Sequence, residues 1–193
     1  VTAGYPHHSM EPRSAMAYWQ NGKCYLSGSS QSQSFMIFGL SRYIGIKPTQ
    51  LVFNAAFCGG GFGSKGAPYA EMAIPAHMSK KLGGRPVLMR ISREEEQFIG
   101  KGRPGFQGQV KIGFRKDGRI LACDMYIVHE NGPNTGFWDF RNAGNAFSIV
   151  FQPEAMRWQG ISVLTNTPAR NAQRGPGENQ TAAAMEPIIA KAA

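Results

Sequence analysis

The stretch CGGGFGSKG, residues 58–66, constrains this chain more than any other segment. Five glycines among nine residues leave a backbone almost bare of side chains. Such a backbone either lets another group come very close or turns through conformations that a β-carbon resists. It stands between LVFNAAF (51–57), an apolar run of strand character, and YAEMAIPAHMSKKLGG (69–84). The latter reads as a helix with Pro75 as a kink and Gly83 as its end. The loop therefore joins a strand to a helix.

Tight packing alone is one explanation for these glycines. A phosphate cradle is another, because Gly61-Phe62-Gly63-Ser64-Lys65-Gly66 satisfies G-x-G-x-x-G. PVLMRIS (86–92) would then be a second parallel strand, with Glu94 as a ribose partner. That reading gives a nicotinamide-dependent dehydrogenase using Gly61, Gly63, Gly66 and Glu94. Against it, Ala67 and Pro68 precede the helical pattern, and Glu94 lies further on than the usual ~20 residues. A P-loop is excluded, since no Gly-Lys-Ser/Thr is present.

The rest of the chain alternates strand and helix signals. KCYLSGSS (23–30) reads as a strand, and QSFMIFGLSRYIG (33–45) as a helix with Phe35, Phe38, Leu40 and Tyr43 on one face and Gly45 as its stop. Ser92 and Glu95 form a capping-box pattern, which places Glu94, Glu95 and Glu96 in an exposed first turn. QGQVKIGF (107–114) and ILACDMYIVHE (120–130) flank an Asp-Gly turn and predict a β-hairpin. MRWQGISVLTN (156–166) predicts a strand, NTPARNAQRGPGENQ (166–180) a loop, and TAAAMEPIIAKAA a helix. The fold class expected is α+β, a mixed sheet with helices, in two lobes over 1–105 and 106–193.

Net charge is +9, but the bases are scattered among apolar segments and no nucleic-acid-binding spacing occurs, so a nucleic-acid partner is not expected. Cys24, Cys58 and Cys123 are too far apart for a metal knuckle or disulfide framework and read as buried thiols. His7, His8 and Glu11 have poor zinc spacing and read as loop anchors. No apolar run reaches 18 residues, so no membrane-spanning helix is expected. The chain opens on Val1 and ends in AAAMEPIIAKAA without a helix stop, as a piece of a larger polypeptide would.

Several segments taken in order resemble the large subunits of the xanthine dehydrogenase and aldehyde oxidase family, the molybdenum hydroxylases. HHSMEPRSAMAYW (7–19) is similar to that family's His-x-x-x-Glu-Pro segment, and SSQSQS (29–34) to its glutamine segment. GGGFGSK is similar to its cofactor-touching glycine loop, GRPV (84–87) to its Leu-Gly-Arg-Pro-Val stretch, and RKDGRILACDMYIVHENG to its long hairpin. NTPARNAQRGPGENQTAAAMEPIIAKAA is similar to its second cofactor loop and the helix after it.

The resemblance implies the molybdopterin-binding part of such a subunit. It implies cofactor contacts from Gln31 (with Gln33 as the alternative register), from the backbone of Gly60, Gly61, Phe62 and Gly63, and from Arg174 and Gly175, with Gly177 as the next loop glycine. Phe62 would wall a substrate channel or serve as a core aromatic; Lys65 would lie near the cofactor or on the surface. No direct metal ligand comes from the protein.

The complete enzyme would oxidise an aldehyde or an aromatic N-heterocycle with oxygen from water. Its iron–sulfur clusters and FAD would sit on partner subunits or domains, beside the remainder of the large subunit. The family's catalytic glutamate lies downstream of the second loop, so this chain is expected to hold no catalytic residue and to be inactive by itself. Gly66 stands where purine-oxidising members carry an acidic residue, and RGPG (174–177) lacks their aromatic residue between the glycines, which argues against xanthine. The second loop also lacks the cysteine of carbon monoxide oxidisers. A folded module without catalytic function is the remaining alternative.

Overall fold

The computed structural model describes residues 1–134 and 136–193. Its strands are β1 (Tyr5–Pro6), β2 (Ser14–Gln20), β3 (Lys23–Gly28), β4 (Leu51–Asn54), β5 (Val87–Arg90), β6 (Gly102–Arg103), β7 (Phe106–Phe114), β8 (Ile120–Gly132) and β9 (Ala155–Leu164). Its α-helices are α1 (Gln33–Ile44), α2 (Ala73–Lys81), α3 (Arg93–Ile99), α4 (Asp139–Phe151) and α5 (Glu178–Ala192). The fold is α+β with mixed sheets. Two compact units emerge, one of His7–Gly100 and one in which Val1–Pro6 joins Lys101–Ala193.

In the His7–Gly100 unit the sheet order is β4-β3-β2-β5. β4 runs parallel to β3, while β2 is antiparallel to both β3 and β5. β4 and β5 thus occupy opposite edges. The dinucleotide reading needed them as adjacent parallel neighbours, and the topology removes that arrangement. One face of the sheet supplies Ala15, Ala17, Cys24, Leu26, Leu51 and Phe53 to a core closed by Met36, Leu40 and Ile44 of α1 and by Ala73 and Ala76 of α2.

α1 has its expected bounds, and the Gly45 N–H closes it on Ser41 O. Its buried face differs from the expected one: Met36, Leu40, Ser41 and Ile44 point inward, while Phe35, Phe38 and Tyr43 are exposed. Both sets repeat at helical spacing, so periodicity does not choose between them. Pro75 lies in the first turn of α2, where its missing N–H has no intrahelical acceptor to lose. Ser92 and Glu95 form the expected capping box. Glu96, however, is buried rather than exposed.

In the other unit β7, β8 and β9 form a three-stranded sheet, with β7–β8 the expected hairpin and β8–β9 parallel. α4, over a segment with no helical expectation, supplies the crossover between β8 and β9 that a parallel pair requires. Phe106, Cys123, Met125 and Ile127 meet Ala143 and Phe147 of α4 and Met185 of α5 in its core. Pro187 lies inside α5. Cys24 and Cys123 are buried as expected; Cys58 is exposed, contrary to expectation.

His129 of β8 is fully buried between the rings of Phe106 (5.4 Å) and Phe140 (5.8 Å), and neither ring nitrogen has a hydrogen-bond partner among the described residues. Burial disfavours the imidazolium and lowers its pKa from 6.5 to about 4, against a small opposing effect of Glu130. Between those values the unfolded chain binds the proton and the folded one does not. This group's contribution to stability is therefore lost as pH falls from 6.5 towards about 4. Replacing His129→Leu should flatten the acid limb of stability in that window, read as the pH dependence of the urea-unfolding midpoint; an unchanged limb would contradict it.

Candidate functional site

The glycine-rich loop begins after β4 and is held from three sides within its unit. Gln31, between β3 and α1, donates its backbone N–H to Lys65 O (3.0 Å). Its side-chain Oε1 accepts from Gly63 N (2.9 Å) and Lys65 N (3.2 Å). Two N–H donors on one atom fix which end of the carboxamide is oxygen. The Nε2 amino group is left with no acceptor among the described residues.

Lys65 is completely buried; its Nζ donates to Glu11 O (2.8 Å) and pairs with Glu11 Oε2 (3.1 Å). Glu11 Oε2 also accepts from Gly59 N (2.8 Å), and Glu11 N donates to Gly59 O (3.1 Å). Burial works against the Glu11 carboxylate, yet the Gly59 N–H and Lys65 outweigh it and hold its pKa below the ordinary value. Glu11 is thus a loop anchor, as the sequence predicts, and Lys65 is neither a surface nor a free charge.

The third support is Arg13, 1% exposed, which donates from Nη2 to Ser64 O (2.9 Å). Its Nη1 pairs with Glu96 Oε1, its backbone N–H donates to Glu96 Oε2 (2.9 Å), and its guanidinium lies 4.9 Å from the Tyr69 ring centroid. Glu96 is buried because it balances this cation.

Held in this way, the loop turns tightly: Ser64 N donates to Gly61 O (2.9 Å), and Phe62 adopts a left-handed backbone (φ 54°) with its ring 43% exposed. That exposure removes the core-aromatic reading of Phe62. The backbone N–H groups of Gly60, Gly61 and Phe62 have no acceptor among the described residues, although Gly61 is buried. A buried N–H without an acceptor is rare in proteins. With the half-buried Gly60 and the exposed Phe62 on either side, Gly61 offers a row of free donors suited to an electron-rich, oxygen-bearing group.

A β-carbon at Gly61 would collide with the Gln31 carboxamide, lying 2.5 Å from its Cδ. What approaches the backbone here is the chain's own glutamine. At Gly66 a β-carbon would meet only Gly63 O at 3.4 Å.

The second loop, in the other unit, has a different anchor. Arg103, 4% exposed, donates Nε to Gln173 Oε1 (2.9 Å), Nη1 to Gly175 O (3.0 Å) and Gln180 Oε1 (3.1 Å), and Nη2 to Gln173 O (3.0 Å) and Arg174 O (2.7 Å). All five guanidinium N–H groups are used. The Arg174 side chain is left exposed, with no protein partner among the described residues. Gly177, with φ 83°, starts α5 and lies so close to α4 that a β-carbon would be 2.6 Å from Ala143 N and would collide with Asp139 O.

Gln31, Gly60, Gly61, Phe62 and Gly63 therefore come together in one unit, and Arg174 and Gly175 share the loop of the other. Sequence reasoning missed Arg13, Lys65 and Arg103 as buried anchors. A signal existed for Arg103: it sits in GRPG (102–105), where sparse side chains leave room for a long cation.

Over residues 1–193 the chain matches the molybdopterin cofactor-binding domain family. It is 32% identical over 188 residues to the aldehyde oxidoreductase of Megalodesulfovibrio gigas, covering 95% of this chain and 20% of that protein. It is 29% identical over 182 residues to xanthine dehydrogenase 2 of Arabidopsis thaliana, covering 92% of this chain and 13% of that protein. The solved quinoline 2-oxidoreductase from Pseudomonas putida 86 superposes with a TM-score of 0.90 at 26% identity, over 99% of this chain and 25% of that one. The chain thus spans a fifth or less of the length of these curated relatives.

Gly61→Ala should cost about 1–3 kcal/mol by overpacking against Gln31, whereas Gly66→Ala should stay within about 0.5 kcal/mol; denaturant unfolding of the two variants measures the contrast.

Proposed function

The chain belongs to the molybdopterin cofactor-binding domain family, and from that premise we propose that both glycine-containing loops hold the molybdenum cofactor of a hydroxylase. The observation that carries the proposal is the row of unsatisfied N–H groups at Gly60, Gly61 and Phe62 beside the Gln31 carboxamide. Such a set fits a cofactor rich in oxygen acceptors: it offers donors without adding charge, and no side chain from Gly60 or Gly61 obstructs the approach.

Gln31 Nε2 donates to a cofactor oxygen, since its Oε1 is already engaged by the loop. Gly60, Gly61, Phe62 and Gly63 line the approach with backbone, and the exposed Phe62 ring borders the substrate's path. Arg174 and Gly175 serve the second loop, where the free guanidinium neutralises anionic cofactor oxygens. When bound, the cofactor supplies a two-electron redox centre to which the protein contributes no direct ligand. The chain's own part is to bind and orient it.

The complete enzyme takes an aldehyde or an aromatic N-heterocycle and introduces oxygen from water. An aldehyde oxidoreductase and a quinoline oxidoreductase among the similar proteins support that substrate range. Gly66, with room beside it, and the RGPG sequence lack the features of purine recognition noted above. Iron–sulfur clusters and FAD reside on partner subunits or domains: an iron–sulfur cluster needs about four cysteine ligands, and only three cysteines occur here, two of them buried. The remainder of the large subunit supplies the acid–base group.

Elemental analysis of the assembled enzyme should find molybdenum near one per copy of this chain, together with iron. Gln31→Ala and Arg174→Ala should each retain molybdenum about tenfold less tightly, the loss expected for a hydrogen bond worth about 1.5 kcal/mol. Full retention in both variants, or no molybdenum in the wild-type enzyme, would overturn the loop assignment.

A further inference from the structure

Asp139, the first residue of α4, is fully buried, and neither of its carboxyl oxygens has a hydrogen-bond partner among the described residues. Its main-chain oxygen lies directly against Gly177 of the second loop. Arg103 of β6 holds Gly175 O and Gln180 Oε1, on either side of that Gly177, and it and Glu178 of α5 are the charged groups that act on the Asp139 carboxyl. From β8, His129 packs on the neighbouring Phe140 ring and stays neutral. Arg157 of β9 is turned to Asp124, and Arg141 of α4 itself stacks over Trp138.

Arg103 is the cation among these that acts on the Asp139 carboxyl, and it has no N–H to spare: all five hold Gln173, Arg174, Gly175 and Gln180. A buried carboxylate without a donor is not sustainable, so the group must be protonated or must capture a donor. A donor taken from Arg103 is a donor taken from the loop.

We propose that Asp139 is a proton-dependent positioning residue for the second loop: as the neutral acid it leaves Arg103 to hold residues 173–175, and once ionised it competes for that guanidinium and loosens the loop. Burial raises its pKa from 3.8 to about 7, with Arg103 opposing and Glu178 assisting, so the exchange falls near neutral pH. The sign follows from linkage. A raised carboxyl pKa gives stability that is fully present below 3.8 and is lost as pH climbs through about 7. The loop is therefore tighter in mild acid than in mild base. The proposal concerns the loop itself and stands independently of what the loop binds.

The test is hydrogen exchange by mass spectrometry on the assembled enzyme at pH 6 and pH 8.5, corrected for intrinsic exchange rates. Asn171 and Asn179, whose amides donate to Gly102 O (2.9 Å) and Gly175 O (3.3 Å), report on the loop. The β7–β8 hairpin amides serve as an internal control. Loop protection in the wild-type enzyme should fall about tenfold between the two pH values while the hairpin stays constant, and Asp139→Asn should remove the difference. Equal pH dependence of loop and hairpin in the wild-type enzyme overturns the proposal without any variant, as does an undiminished loop difference in Asp139→Asn.

Discussion

A loop that leaves the N–H groups of Gly60, Gly61 and Phe62 without acceptors has to be held by its other backbone groups and by charged side chains. That constraint explains the placement of three cations in this chain. Arg13 takes Ser64 O, and Lys65, itself a loop residue, reaches back to Glu11 O. Arg103 takes the carbonyls of Gln173, Arg174 and Gly175. All three are nearly or completely buried, where an unpaired cation would be costly. Arg13 and Lys65 are balanced by Glu96 and Glu11, whereas Arg103 relies on neutral oxygens for its direct contacts.

This difference separates the two loops electrostatically. In the glycine-rich loop each cation has its own carboxylate, so the fixed donors Gly60 N, Gly61 N and Phe62 N act on a nearly neutral background. In the second loop the buried Arg103 charge has no direct counterion among the described residues, and the exposed Arg174 adds a further positive charge. The loop of the His7–Gly100 unit thus suits neutral acceptor oxygens, and that of the other unit suits anionic ones.

Much of this was legible in the sequence, for particular physical reasons. Gly45, the Ser92–Glu95 box and the Asp-Gly turn at 117–118 act locally, so the helix end, the cap and the hairpin appear where their residues lie. The resemblance implied a cofactor contact for Gln31, and its contact with the glycine loop itself had no sequence signal. What escaped depends on tertiary partners. Phe35, Phe38 and Tyr43 compete with Met36, Leu40 and Ile44 for the buried face of α1, and only the sheet decides. α4 contains two asparagines and a glycine, poor helix formers, and its helical state comes from packing against β8, β9 and α5. Arginine and lysine are ordinarily solvated, so the burial of Arg13 and Lys65 has no local signature, and only the glycines beside Arg103 hint at its burial.

The glycines show most clearly how a motif can be recognised for a reason only partly its own. The sequence places glycine at 61 as though a ligand had to approach, and the nearest obstruction is Gln31 of the same chain. Both statements hold. Gln31 must come close for its Oε1 to fix Gly63 N and Lys65 N, and this engagement leaves its Nε2 free beside the open N–H groups of the loop. The glycine makes room for the glutamine, and the glutamine adds its Nε2 to the row of donors. Gly177 does the same in the other unit: its lack of a side chain brings the loop against Asp139 O. The helix that carries the unpartnered carboxyl and the loop that Arg103 holds are thereby in direct contact, so a change of charge on one has a mechanical route to the other.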